Sequence, residues 1–307
     1  MTIKEIQSLV IRIALSLILV LFLITKIDIK DIVIAQVEWQ FLPVIVVANL
    51  CAYLMRSFFY KITLNVEKLK IRILFLITGV YNFISSLIPF GLGHLSYPYF
   101  LKKYHGIVIS RGVSSLVAYN GIRVLFLIFI FLWSGVSLRL FQEIHLYFPK
   151  KILLLLFILL IVFLTVGIRY FGRNIFVGKV EEFKIEVKNA LHENVQFAKV
   201  VLLIGVSIVT MAFNVISVYY FFAFISQSLS IIPVLFIFSA GNLSNLLPIH
   251  GPGRLGSYEA VNSLLLLGLN FSGNEAIQIS FAIHFLALFI QLAIAVPCYF
   301  LMKSSIT

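Results

Sequence analysis

The feature that most constrains this chain is a series of long apolar segments, two of which are interrupted by a short polar break. The first break, residues 85–91, reads SSLIPFG, and the second, residues 244–251, reads SNLLPIHG. They resemble each other and lie about half a chain apart. Proline and glycine interrupt helices, and irregular backbone at membrane depth occurs only inside protein or beside a cavity. The pair therefore predicts two broken helices that help to form a buried polar site.

The composition indicates a polytopic membrane protein. Apolar residues make up 61% of the 307 residues, whereas soluble domains contain about 45–50%. The formal net charge is +12, but the cations fall in short loops between apolar runs, a distribution typical of membrane topology. The chain is therefore not predicted to bind nucleic acid. Its two cysteines lie inside apolar runs and lack the spacing of a metal site or a disulfide framework.

The apolar runs predict the architecture, because a spanning helix needs about 20 apolar residues. The first run is interpreted as an uncleaved transmembrane helix, since no small-residue cleavage site follows it. The run at 91–101 is too short to span. The predicted fold class is an all-α polytopic membrane protein. The candidate segments are residues 9–25, 41–63, 71–90, 112–138, 152–170, 199–226, 231–249, 256–270 and 276–302.

The lysines and arginines distinguish two topologies. If 71–90 and 231–249, each together with the segment after it, enter the membrane and return to the same side, 16 of the 24 cations lie in the cytoplasm, 5 lie outside and 3 lie at membrane depth. If every segment spans, 9 lie inside and at least 12 outside. Cytoplasmic loops are enriched in Lys and Arg, so the first topology is favoured. It predicts two inverted-repeat halves, each with a re-entrant broken-helix hairpin, in the plasma membrane and with both termini cytoplasmic.

The chain is predicted to form a single integral membrane domain over residues 1–307, with pseudo-repeat halves at about 1–140 and 150–307. A cytoplasmic amphipathic helix at about 174–198 would join the halves, since its apolar residues recur at spacings of three and four. It is interpreted as a cover over the cytoplasmic ends of its neighbours. Docking of a partner or of the membrane surface is the alternative.

Three arginines, Arg56, Arg123 and Arg254, fall within apolar surroundings. An unpaired charge at bilayer depth costs at least about 2.5–3.5 kcal/mol, so each needs a partner, water or a function. A guanidinium suits bidentate recognition of phosphate, and together they are predicted to hold an anionic head group. Snorkelling to the interface or internal pairing is the alternative. Glu259 is predicted to be the counter-ion of Arg254, with a proton- or cation-coupling role as its alternative.

The second break is predicted to present a half-helix N-terminus to the ligand. Gly251, Gly253 and Gly256 allow close backbone approach, while Pro248 and Pro252 remove backbone donors. Freed N–H groups at the start of the following half-helix favour an anion. The predicted substrate-binding residues are Arg56, Asn82, Pro89, Gly91, Arg123, Asn245, His250, Gly253, Arg254 and Glu259. No catalytic residue, metal site or cofactor is predicted, and His250 is interpreted as a hydrogen-bonding residue of the break.

These motifs resemble the flippase-like transmembrane domain family, which includes the membrane domain of lysylphosphatidylglycerol synthetase and stand-alone membrane proteins. The resemblance covers roughly residues 10–300. It is carried by Asn82 to Gly91 with the following LKKYHG at 101–106, and by PGRLGSYE at 252–259, which is similar to the family's Pro-Gly-Gly-x-Gly-x-x-Glu. Arg123 matches an arginine of the family's middle helix. Ile122 stands where an acidic residue is common, and Arg254 replaces a glycine.

The resemblance implies translocation of a phospholipid or a polyprenyl-phosphate-linked precursor. The synthetase's soluble aminoacyl-transferring domain has no counterpart in these residues, so the chain is not expected to make aminoacylated lipid itself. One alternative is a membrane-embedded enzyme that acts on a lipid phosphate or glycolipid, with Glu259 and His250 as acid–base groups. Another is a non-catalytic membrane partner of a soluble glycosyltransferase or synthetase, bound through the helix at about 174–198.

Overall fold

The computed structural model describes residues 37–67, 69–88, 92–140, 197–244 and 252–304, and every regular element in these ranges is helical. Three short 3₁₀ turns, Trp39–Phe41, Leu92–Leu95 and Pro252–Arg254, precede helices. The α-helices of these ranges are α1 (Leu42–Leu64), α2 (Ile71–Leu87), α3 (Ser96–His105), α4 (Ile109–Ser137), α5 (Phe197–Phe224), α6 (Ile231–Ser244), α7 (Ser257–Gly268) and α8 (Gly273–Ser304).

Four of the described segments are long and apolar enough to cross a membrane. They are Trp39–Leu64, Ile109–Ser137, Ala198–Phe224 and Gly273–Ser304, and they contain 26, 29, 27 and 32 residues. At 1.5 Å per residue each exceeds the hydrocarbon thickness of about 30 Å. The prediction of an all-helical, multi-pass membrane protein is confirmed.

The helices that precede the two breaks are shorter. α2 has 17 residues and α6 has 14, which corresponds to lengths of about 26 and 21 Å. α2 ends where Ile88, the residue before Pro89, takes an extended conformation with ψ of 120°. A residue that precedes proline is disfavoured in the helical region, so the sequence itself explains why the predicted segment 71–90 stops early.

The order long, short, short, long occurs twice along the described chain, as α1–α4 and as α5–α8. The two leading long helices, α1 and α5, form the most extensive helix contact. α2 packs against α8, and α6 packs against α4. Each short helix before a break therefore lies against the last helix of the other set.

Several predictions concern residues outside the described ranges. These are the segments 9–25 and 152–170 and almost all of the amphipathic helix at about 174–198. The cytoplasmic location of the termini stays a prediction. The run at 91–101, predicted to be too short to span, falls in the 10-residue helix α3 and the turn before it.

A cluster of tyrosines joins the first four helices. Tyr60 of α1, Tyr81 of α2, Tyr97 of α3 and Tyr119 of α4 are all buried. The ring centroids of Tyr60 and Tyr97 are 4.5 Å apart, and those of Tyr81 and Tyr97 are 5.5 Å apart. Such aromatic pairs contribute about 0.5–1.5 kcal/mol each beyond the burial of their surface. The cluster fixes α3, and hence the chain that follows the first break, against α1 and α2.

Gly93 lets the chain after the first break pack directly on α2. A Cβ atom at this position would lie 2.6 Å from the Ser85 Cα atom and 2.7 Å from the Ile84 carbonyl oxygen. We expect Gly93→Ala to lower the free energy of unfolding by about 1–3 kcal/mol, because backbone atoms have to shift. Thermal unfolding in detergent measures the change. Gly121→Ala on α4 is the control, since a Cβ there meets nothing within 4 Å; equal losses in both variants would contradict the packing explanation.

Candidate functional site

The turn that follows the second break lies against the helix that precedes the first break. The turn Pro252–Arg254 packs on α2, and the Arg254 Nη2 atom donates a hydrogen bond of 3.4 Å to the Ser85 carbonyl oxygen. Gly253 and Gly256 have φ angles of 66° and 90°, which glycine adopts without a Cβ clash. These two glycines let the chain turn from the break into α7. At Gly253, where the sequence predicts close approach of the backbone, the structure has a sharp backbone turn beside α2.

Arg123 connects the two sets of helices through an amide. On α4, its Nη2 atom donates to the Oδ1 atom of Asn242 on α6. The Nδ2 atom of Asn242 donates in turn to the Phe238 carbonyl oxygen at 2.8 Å. An amide is neutral, so this contact orients the guanidinium without neutralising it. Within the described residues, neither Arg123 nor Arg254 forms an ion pair with a carboxylate.

Arg123 and Arg254 line the same cavity, which has a volume of about 170 Å³. Seven of the eight described helices contribute to its walls, and α3 does not. No aspartate or glutamate is among the described residues of the lining. The cavity therefore combines two positive charges with neutral hydrogen-bonding groups. Its other polar side chains are four amides, three hydroxyls and one imidazole: Asn49, Asn214, Asn242, Gln291, Ser86, Ser217, Tyr258 and His284.

Arg56 has internal partners. It is 8% exposed, and its Nη1 atom donates to Asn82 Oδ1 while its Nε atom donates to the Tyr119 hydroxyl at 3.0 Å. Its guanidinium carbon also lies 4.9 Å from the centroid of the Tyr119 ring, within the range of a cation–π contact. Neither Arg56 nor Asn82 is among the lining residues of the cavity. The structure thus has the internal pairing that was the alternative for Arg56, and a role of either residue in substrate binding stays a prediction.

Glu259 pairs with a histidine, and the prediction that it is the counter-ion of Arg254 is wrong. The Glu259 side chain is fully buried, and its Oε1 atom lies 2.5 Å from His284 Nδ1. Its Oε2 atom accepts a hydrogen bond of 2.6 Å from the Gly256 N–H group. The second contact caps the N-terminus of α7, where a carboxylate is favoured by the free backbone donors. The carboxylate thus links the start of α7 to α8.

None of the five remaining predicted residues is among the described lining residues of the cavity. Gly253 is buried in the turn that carries Arg254. Pro89, Gly91, Asn245 and His250 lie outside the described residues. A binding role for these four stays a prediction.

Sequence reasoning missed several polar residues of the cavity wall, chiefly Asn49, Asn214, His284 and Gln291. Each lies in a long apolar helix away from the breaks. A usable signal was present, because polar groups inside spanning segments almost always face the protein interior or a cavity. What the sequence lacks is any sign of which other helix each of them faces.

The fold and the cavity define a multi-pass membrane protein with a cavity that two arginines line. The family model for the lysylphosphatidylglycerol synthase TM region matches residues 9–295. The chain belongs to this family, in agreement with the motifs at 82–91 and 252–259. No curated protein matches the chain.

Proposed function

We propose that this protein moves an anionic phospholipid or a polyprenyl-phosphate-linked lipid across the cell membrane. The observation that carries the proposal is the position of Arg123 and Arg254 in one interior cavity whose described lining contains no carboxylate. Two guanidinium groups without carboxylate partners at membrane depth are costly unless an anion or water occupies the site. A lipid phosphate supplies the anion, and a guanidinium matches its geometry.

The two arginines come from different halves of the proposed repeat. Arg123 belongs to α4, the last helix of the first set, and Arg254 belongs to the break of the second set. The recurring order of helices and the reciprocal packing of α2 on α8 and α6 on α4 support two related halves. In the proposed mechanism these halves are inverted, the broken hairpins are re-entrant, and rocking of one half against the other alternates access to the bound head group. The acyl or prenyl tails remain in the bilayer.

Family membership supports a lipid as the cargo. The family is named for the membrane region of an enzyme of lipid modification, and the cavity here has the charge needed for the phosphate of such a lipid. The proposed site residues are Arg123, Arg254 and Gly253, with His250 and Asn245 of the second break and Pro89 and Gly91 of the first break as proposed neighbours.

Reconstitution tests the proposal. Purified protein in liposomes that contain a fluorescent phospholipid analogue is expected to make more of the analogue accessible to a membrane-impermeant quencher than protein-free liposomes do. Anionic analogues should move faster than choline analogues. Measurements with and without an ion gradient distinguish coupled from uncoupled movement. No protein-dependent movement of any anionic lipid, under either condition, would overturn the proposal.

The enzyme alternative is tested with the same preparation. Labelled lipid phosphates and lipid-linked sugars are incubated with the protein, and a chemically changed product without translocation would favour an enzyme. In the described structure, the Glu259 carboxylate is engaged by Gly256 and His284, and Glu259 is not among the lining residues of the cavity. These contacts favour the transport proposal. The partner alternative is tested by deleting residues 174–198, which are predicted to form a helix, and measuring association with the soluble enzyme.

A further inference from the structure

The cavity wall presents hydrogen-bond acceptors that the fold leaves without donors. The Nδ2 atom of Asn49 donates to the Ile45 carbonyl oxygen and to the Ser217 hydroxyl, both at 2.8 Å. The Nδ2 atom of Asn214 donates to the Thr210 carbonyl oxygen at 2.9 Å. These bonds fix the two amide groups through their donors, and within the described residues neither Oδ1 atom accepts a hydrogen bond. Asn49 uses both of its N–H groups and offers only its oxygen atom, whereas Asn214 offers its oxygen atom beside one remaining N–H group.

Gln291 of α8 adds a third acceptor to the same wall. Its Oε1 atom is buried and has no hydrogen-bond partner within the described part of the chain. A buried carbonyl oxygen left unpaired costs about 1–3 kcal/mol, so native structures almost always supply a donor from protein, water or ligand. Because Gln291 lines the cavity, a donor from a molecule inside the cavity can satisfy this oxygen.

The charge of the cavity determines which kind of donor is suitable. An ammonium group and a hydroxyl group can both donate to an amide oxygen. Arg123 and Arg254 line the same small volume, however, and their positive charges repel an ammonium ion. No described lining residue is acidic, and neither break contains an aspartate or glutamate. Neutral hydroxyl groups satisfy the acceptors without this repulsion.

We propose that the cavity selects a head group that combines a phosphate with several hydroxyls, as in a polyol or sugar phosphate lipid, over a head group that carries an ammonium. The inference rests on the proposed function for the phosphate contact with Arg123 and Arg254. The hydroxyls of the head group donate to Asn49, Asn214 and Gln291. The shared chemistry is a hydroxyl-rich phosphate, whether it is attached to a diacylglycerol or to a polyprenyl chain.

Binding to the solubilised protein tests this selectivity. The probes are short-chain phosphatidylglycerol, phosphatidylmethanol with the same charge but no hydroxyl, phosphatidylethanolamine with an ammonium, and farnesyl phosphoglucose. Ligand-dependent rise of the thermal unfolding midpoint gives the apparent affinity of each. We expect a hydroxyl-bearing lipid to bind about tenfold more tightly than phosphatidylmethanol, and phosphatidylethanolamine to bind most weakly. Comparison of phosphatidylglycerol with farnesyl phosphoglucose shows whether the preferred lipid carries a diacylglycerol or a polyprenyl chain.

Gln291→Met removes one acceptor at nearly constant volume. We expect the variant to bind the hydroxyl-bearing lipid about three- to tenfold more weakly, with the affinity for phosphatidylmethanol unchanged. Gln40→Met is the matched control, since Gln40 is exposed and absent from the cavity lining. If Gln291→Met does not fold, the ranking of the probes on the unsubstituted protein still decides the question.

Different results would contradict the hydroxyl selectivity and the phosphate site. Equal affinity for phosphatidylglycerol, farnesyl phosphoglucose and phosphatidylmethanol would overturn the hydroxyl selectivity and leave the phosphate site intact. Tightest binding of phosphatidylethanolamine would also overturn it. If phosphatidylmethanol and both hydroxyl-bearing lipids fail to bind, the phosphate site itself is wrong, and the selectivity falls with it.

Discussion

Replacing Glu259 with alanine is expected to lower the free energy of unfolding by about 2–6 kcal/mol, because it leaves two buried groups unpaired at a cost of about 1–3 kcal/mol each. The carboxylate is fully buried and has two partners, the Gly256 N–H group at 2.6 Å and His284 Nδ1 at 2.5 Å. Alanine removes the partner that each of them has among the described residues. Chemical or thermal unfolding of the detergent-solubilised protein measures the loss.

Glu275 provides a matched control for this variant. It also stands at the start of a helix, α8, and its carboxylate accepts a hydrogen bond of 2.9 Å from the Ser272 N–H group. Glu275 is only partly buried, whereas Glu259 is fully buried, so Glu275→Ala should cost only about 0.5–2 kcal/mol, the range for the loss of a helix cap. Similar losses for Glu259→Ala and Glu275→Ala would contradict the importance of the buried pair with His284.

A double-mutant cycle distinguishes the stabilisation by the Glu259–His284 contact from the stabilisation by the helix cap at Gly256. If the contact between Glu259 and His284 stabilises the fold, the effects of Glu259→Gln and His284→Ala will not add, and the coupling free energy will fall within about 0.5–3 kcal/mol. The same variants address the coupling role that was the alternative for Glu259. If the Glu259→Gln variant folds and moves lipid but no longer responds to a proton gradient, the coupling proton is assigned to the pair of Glu259 and His284.

The sequence predicts the helices well because their limits depend on local chemistry. The predicted segments 41–63, 112–138 and 276–302 differ by at most three residues from the ends of α1, α4 and α8. Apolar length determines these helices, and the proline after Ile88 ends α2. The two polar breaks could likewise be found from residue types alone, since few residues other than proline and glycine interrupt an apolar helix so strongly.

The partners of the polar side chains could not be predicted, because they depend on how distant helices pack. Arg254 and Glu259 are five residues apart, and proximity in the chain suggested an ion pair. The carboxylate instead contacts His284, which is 25 positions away on α8. Asn242 meets Arg123 across 119 positions. A polar residue in a spanning helix signals that a partner exists, but only the packing of α4 on α6 and of α7 on α8 identifies it.

Replacing Arg254 with glycine is expected to reduce lipid movement by about ten- to one-hundredfold while leaving the fold intact. A hydrogen bond to a charged group contributes about 1.5–3 kcal/mol, and each 1.4 kcal/mol corresponds to a factor of ten. Arg254 has a φ angle of 60°, a left-handed conformation that costs a residue with a Cβ about 1–2 kcal/mol. Glycine relieves this strain, and the resembling family motif has glycine at this position.

Because glycine relieves strain while it removes the guanidinium, Arg254→Gly is more informative than Arg254→Ala. Its loss of transport should occur without a loss of stability. The measurements are lipid movement in proteoliposomes and the thermal unfolding midpoint of the same preparation. Arg123→Ala should reduce lipid movement to a similar extent, whereas Arg111→Ala is the control because Arg111 is exposed at the start of the same helix, α4. Unchanged movement in Arg254→Gly would remove this guanidinium from the site. A fall in stability that parallels the fall in movement would assign it a structural role, since its bond to the Ser85 carbonyl would then hold the turn Pro252–Arg254 against α2.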